Sequence, residues 1–174
     1  IWVATHNGIG RYNGYQFIDY NTQTPSLRLK SNFVHKICED NSQRLWIGTE
    51  EGINIINLNN YQEQTILSRL YPEISTIFHS NIETIYKDKE SNLWISAGKD
   101  LWCLKLNSQG DIQDYWHLKH EGQSPIHAII DLKWCICVGI DNQIYQIKRS
   151  SHHQLLVSKF SKLIEPFTHD WRIL

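Results

Sequence analysis

Short apolar runs separated by polar turns recur along the chain. The run Leu45, Trp46, Ile47 stands between the polar stretch Asp40, Asn41, Ser42, Gln43 and the turn Glu50, Glu51, Gly52. It is too short and too rich in β-formers for a helix. Apolar residues on both of its faces fit a strand whose sheet is packed between two others.

The pattern is a repeat, and repeats decide the fold before any local feature does. Residues 1–9 are echoed by residues 45–53, again by residues 93–101, and in worn form by residues 134–140. The marker residues Trp2, Trp46, Trp94 and Trp134 are spaced by 44, 48 and 40 positions, within the period range of propeller blades. A second marker precedes the tryptophan: residues 32–40 match residues 81–88, and Ile37 and Ile85 each lie nine positions before their Trp. In the last copy Trp134 follows Ile129 by only five, so four residues are expected to be missing from that turn.

Each copy reads as four short strands, A to D. Strand A is the type around Val34 and Ile37, strand B the Leu-Trp-Ile run, and strand C the alternation Ile53, Ile55 or Leu101, Cys103. Strand D carries Phe17 and Tyr20, then Ile66, then Ile112 and Trp116, then Leu155 and Val157; its poorer pattern suits a half-exposed outer strand. Gly8 and Gly52 are expected to supply positive φ in the B-to-C turns. Pro25, Pro72, Pro125 and Pro166 all fall in the connections from D to the next A, where a missing N–H costs nothing.

The expectation is therefore an all-β chain of about four propeller blades, with approximate repeats 1–31, 32–80, 81–124 and 125–165. Residues 166–174 begin a further blade or supply a closing strand, with Trp171 and Leu174 standing where Val34 and Ile37 do. Four blades is the small limit of a closed ring, and a larger ring cut short fits equally well. The chain opens at Ile1 and Trp2 in mid-pattern and contains no Met, as expected of a fragment or processed segment.

Composition narrows the function. The chain is 41% hydrophobic with seven Trp and eight Tyr, enough to build a sizeable core. Seventeen basic and eighteen acidic residues are spread without long runs, so no nucleic-acid partner is expected. No run approaches the roughly 18 to 20 apolar residues that span a bilayer, so this segment is expected to make no membrane contact. Cys38, Cys103, Cys135 and Cys137 form neither a C-x-x-C pair nor a disulfide framework; buried free thiols are expected, ahead of a disulfide and, last, metal binding.

Catalytic signatures are lacking. His117 and His120 are three apart, which on a strand sends them to opposite faces, and no companion ligand recurs near them or near His152 and His153. There is no G-x-S-x-G elbow and no phosphate-cradling glycine loop. Glu39 and Asp40 resemble an acid–base pair, but Asp88 recurs at the same place, so turn chemistry explains them. The marker tryptophans are expected in the core between blades, with Trp116 open to either core or sugar stacking. Ligand contact is expected on the face carrying the B-to-C and D-to-A connections, which exposes His6, Asn7, Glu50, Glu51, Lys99, Asp100, Asp141 and Asn142. No metal and no cofactor are expected.

Strand A, the turn at Glu39 and Asp40, the run Leu45, Trp46, Ile47, Gly48, Thr49, the pair Gly52 and Ile53, and the aromatics Phe17 and Tyr20 together resemble the two-component regulator propeller repeat. The resemblance covers nearly the whole chain. It is weakest in the fourth copy, where Cys135, Ile136, Cys137 and Val138 replace the Trp-Ile-Gly-Thr core. It implies a periplasmic sensor segment of a Bacteroides-type hybrid histidine kinase, non-catalytic in itself, since no kinase residues are present. Such sensors commonly detect oligosaccharides released from glycans. The implied partners are an oligosaccharide ligand, the remaining blades of a parent chain and a second copy in a homodimer. A structural or protein-interaction scaffold is the first alternative, and a propeller lyase the second.

Overall fold

The computed structural model describes residues 1–64, 72–122, 124–132, 135–141 and 143–159. Four antiparallel sheets follow one another along the chain. The first contains β1 (Trp2–Thr5), β2 (Gly8–Tyr12) and β3 (Phe17–Tyr20), and the second β4 (Val34–Glu39), β5 (Arg44–Thr49) and β6 (Gly52–Asn57). The third contains β7 (Ile82–Lys87), β8 (Leu93–Ala97), β9 (Asp100–Leu106) and β10 (Ile112–Leu118). The fourth contains β11 (Ala128–Leu132), β12 (Cys135–Ile140), β13 (Gln143–Arg149) and β14 (Leu155–Lys159). The fold is all-β with the sheets as propeller blades. Ile66, Trp134, Asn142, Pro166, Trp171 and Leu174 lie outside the described residues.

Period-two alternation on the B strands explains the stacking. Leu45 and Ile47 enter the cluster between the first and second blades with Ile9, Leu27 and Leu29, while Trp46 between them enters the next seam. Leu93 and Ile95 pack with Trp46 and Ile85, whereas Trp94 joins Val138, Ile140 and Ile147 between the third and fourth blades. Each central strand thus glues two seams at once. Trp46 and Trp94 are fully buried, as the core reading required, and each contributes roughly 2–3 kcal/mol through burial.

An element not anticipated from sequence is the 3-10 helix Pro72–His79 in the connection into the third blade. With three residues per turn, Ile74 and Ile77 share one face, and both are buried against the second seam.

The B-to-C turns need glycine for two reasons. Gly8 and Gly52 have φ of 101° and 129°, as expected. A Cβ on Gly52 would also lie 2.0 Å from the Phe78 carbonyl oxygen, and one on Gly8 2.0 Å from that of Tyr20.

Strand register corrects the reading of the fourth copy. Ile37 pairs with Ile47 and Ile85 with Ile95, ten residues on in each case, whereas Ile129 pairs with Val138 after nine. The shortfall is one residue, not four. The B-to-C pairs Thr49↔Gly52, Ala97↔Asp100 and Ile140↔Gln143 give the same alignment. Cys137 therefore occupies the position of Trp46 and Trp94, and Cys135 that of Arg44 and Asn92.

Candidate functional site

The face carrying the B-to-C turns also holds the starts of the A strands, and there the ladder is irregular. Val34 pairs with Thr49 but Lys36 with Gly48; Ile82 pairs with Ala97 but Thr84 with Ser96. His35 and Glu83 are the extra, bulged residues. A bulge re-aims the side chain it inserts. In the fourth blade Ala128 pairs with Gly139, which puts His127 at the corresponding position.

These three side chains link successive blades. His35 Nδ1 lies 3.2 Å from the Ile82 carbonyl oxygen and Nε2 lies 3.9 Å from Glu50 Oε1. Glu83 accepts from Asn81 Nδ2 at 2.7 Å and stands 3.4 Å from His127 Nδ1. Next to His35, Phe33 is 45% exposed, with the His6 ring edge-on at 5.8 Å. Asn32 Nδ2 approaches Asn7 Oδ1 at 3.5 Å. The surface therefore combines an open aromatic ring with amide, imidazole and carboxylate groups.

Of the residues expected there, His6, Asn7 and Glu50 join this arc. Glu51, Lys99 and Asp141 are exposed in their turns. Asp100 is only half exposed and is committed within its blade: its carboxylate lies 2.9 Å from His117 Nε2 and accepts the His120 backbone N–H at 3.0 Å. Phe33, His35, Glu83 and His127 were missed by sequence reasoning. The available signal was the recurrence of His35, Glu83 and His127 two residues before Ile37, Ile85 and Ile129, with Phe33 directly ahead of Val34.

The opposite face explains the recurrent acid. Asp40 is buried and accepts from the backbone N–H of Ser42 and Arg44, from Arg44 Nε at 2.7 Å and from the Trp46 indole at 2.8 Å. Asp88 repeats this with Glu90, Asn92 and Trp94, whose indole lies 2.8 Å away. Turn chemistry thus occupies both carboxylates. Arg44 also donates to the Gly110 carbonyl at 2.6 Å, tying the second blade to the C-to-D turn of the third.

On the outer rim, His117 stacks on Trp102 at 3.8 Å and His153 stacks on Tyr115 at 5.1 Å, beside a cavity of about 390 Å³. Trp116 donates its indole N–H to the Ser150 carbonyl at 2.8 Å, so it serves the seam. Among the described residues no group of three or more His, Cys, Asp and Glu is arranged to hold a metal ion. All four cysteines are free. Burial pushes the Cys38 and Cys103 thiols up, Cys103 the more strongly.

Comparison with known proteins bears on these features. Residues 28–51, which span strand A, the Asp40 turn and strand B of the second blade, match the two component regulator propeller family. The chain is similar to the extracellular domain of a hybrid two component system from B. thetaiotaomicron, with 25% identity and a TM-score of 0.63, covering 83% of this chain and 19% of that one. It is also similar to the extracellular domain of a one component system from the same organism, at 23% identity and a TM-score of 0.61, covering 91% and 23% respectively. The chain thus spans about a fifth of the length of these domains. No curated protein matches it.

Proposed function

We propose that the chain is a non-catalytic ligand-sensing segment of a two-component sensor, and that its turn face receives an oligosaccharide. The observation that carries this reading is the arc of Phe33, His6, Asn7, Asn32, His35 and Glu50 on a repeat of the regulator type. A sugar ring has an apolar C–H face that packs on an open aromatic ring and hydroxyl edges that pair with planar polar side chains. Binding shifts a receptor only through different affinities for its signalling states. An arc crossing several blades supplies that difference, because its His35 and His127 contacts depend on how neighbouring blades sit.

The reading places the segment outside the cytoplasm, in the periplasm, in keeping with the extracellular domains it resembles. No described helix is long and apolar enough to cross a membrane. Its partners are then the remaining blades of a parent chain and a second copy in a homodimer. Isothermal titration of the sensor ectodomain with a broad panel of glycan oligosaccharides is expected to give saturable heat with at least one. Phe33→Ala is expected to weaken that binding about tenfold, the equivalent of 1.4 kcal/mol. No heat across the panel, or unchanged affinity in the variant, overturns the reading.

A protein-interaction scaffold is the second reading. It is favoured by the C-to-D turn of the first blade, where Tyr15 is 94% exposed beside Phe17. It predicts capture of a protein through that turn and indifference to sugars.

A further inference from the structure

Cys135 and Cys137 stand where two other blades hold Arg44 with Trp46 and Asn92 with Trp94. Their partner is replaced as well. Counted along strand A from the paired isoleucines, Leu132 takes the place of Asp40 and Asp88, so the fourth blade has exchanged an acid, a polar residue and an indole for an apolar residue and two thiols. The two sulfurs lie 3.6 Å apart on one face of β12. Cys137 is buried, while Cys135 is half buried and lines a cavity of about 530 Å³ together with Asp88, Glu90 and Asp131.

The strand holds this pair in a particular way. Residues two apart on a strand are separated by roughly 6.5 Å with parallel Cβ directions. A disulfide needs its Cβ atoms about 3.5–4.5 Å apart, so closing one here requires bending β12 out of its ladder. A cation bridging two thiolates needs no such bend. Soft thiolate pairs select monovalent ions such as Cu(I), for which two ligands form a complete shell, in contrast to the four that zinc takes.

We propose that Cys135 and Cys137 form a two-coordinate site for a soft monovalent cation, Cu(I) or its analogue Ag(I). Binding exchanges two protons for one ion: each S–H bond is lost, two sulfur–metal bonds form, and nothing is oxidised or reduced. The cavity is lined by Asp88, Glu90 and Asp131 but equally by Lys89, Lys148 and Arg149, so its charges balance and the site depends on the two sulfurs alone.

The test is titration of the full chain with Ag(I) in chloride-free buffer, followed by native mass spectrometry and proton-release measurement. A single tightly held ion with release of two protons is expected. Cys135→Ser and Cys137→Ser should each abolish retention with unchanged far-ultraviolet circular dichroism, whereas Cys38→Ser and Cys103→Ser should keep it. Retention surviving both of the first substitutions, or no retained ion, overturns the proposal. So does a protein lighter by two hydrogens through a bond between Cys135 and Cys137.

Discussion

The carboxylate of Asp88 accepts a hydrogen bond from the Trp94 indole N–H at 2.8 Å, inside a seam where Trp94 is fully buried. The same bond joins Asp40 to Trp46. A buried indole N–H without an acceptor is costly, and a buried carboxylate without donors is costlier still. Each makes the other tolerable. This accounts for the fourth blade, where Leu132 and Cys137 hold these places and neither of the two polar groups is present.

The exchange of the pair is therefore expected to be strongly non-additive. Asp88→Leu alone strands the Trp94 indole and the backbone N–H groups of Glu90 and Asn92, at a cost of roughly 3 kcal/mol or more. Trp94→Cys alone leaves a cavity and costs about 3–5 kcal/mol. The double variant, which copies two of the three exchanges in the fourth blade, should be more stable than the sum of the two by about 1–3 kcal/mol. Urea unfolding of the four proteins measures this, and simple additivity would refute the coupling.

Much of the architecture was legible because its causes are local. The two-sided apolar strands, the turn glycines and the recurrent acid before each tryptophan all act over a few residues. The fourth blade misled because a tryptophan, Trp134, stands near the marker position, and only strand pairing reveals that Cys137 fills it. The 3-10 helix was hidden because Ile74 and Ile77 gain their shared face only once the second seam exists to receive them. Of the candidate site, the turn tips His6, Asn7 and Glu50 were readable as exposed positions. His35, Glu83 and His127 could be placed by their distance from the strand-A isoleucines but not recognised as surface links, since the bulge that re-aims His35 and Glu83 is a property of the pairing between two strands.

Two glycines with positive φ separate backbone conformation from close approach. A Cβ on Gly98, at φ 61°, meets nothing within 4 Å, so Gly98→Ala should cost only the left-handed backbone term of about 1–2 kcal/mol. Gly52→Ala adds a collision with the Phe78 carbonyl and should cost more than about 3 kcal/mol. Thermal unfolding of the two variants distinguishes them. Equal losses would mean that the turn and the 3-10 helix move apart freely.

Alkaline conditions should destabilise the fold through its buried thiols. Desolvation raises Cys38 and Cys103, and raises Cys137 from 9.0 to about 12, so the folded state keeps protons that the unfolded chain releases. With more protons bound in the native state, stability falls as pH rises. For Cys137 the contribution is fully present below pH 9.0 and is lost on the way to about 12. Each thiol adds a slope of up to about 1.4 kcal/mol per pH unit across its window. Urea unfolding between pH 9.0 and about 12, the window of Cys137, should show that decline. Cys103→Ala and Cys137→Ala should each flatten it, at the price of a small cavity. A slope unchanged in both variants would assign the alkaline loss to other groups, with Lys30 unable to supply it. Burial lowers the Lys30 pKa, so Lys30 favours the folded state more as pH rises, which is the opposite sign.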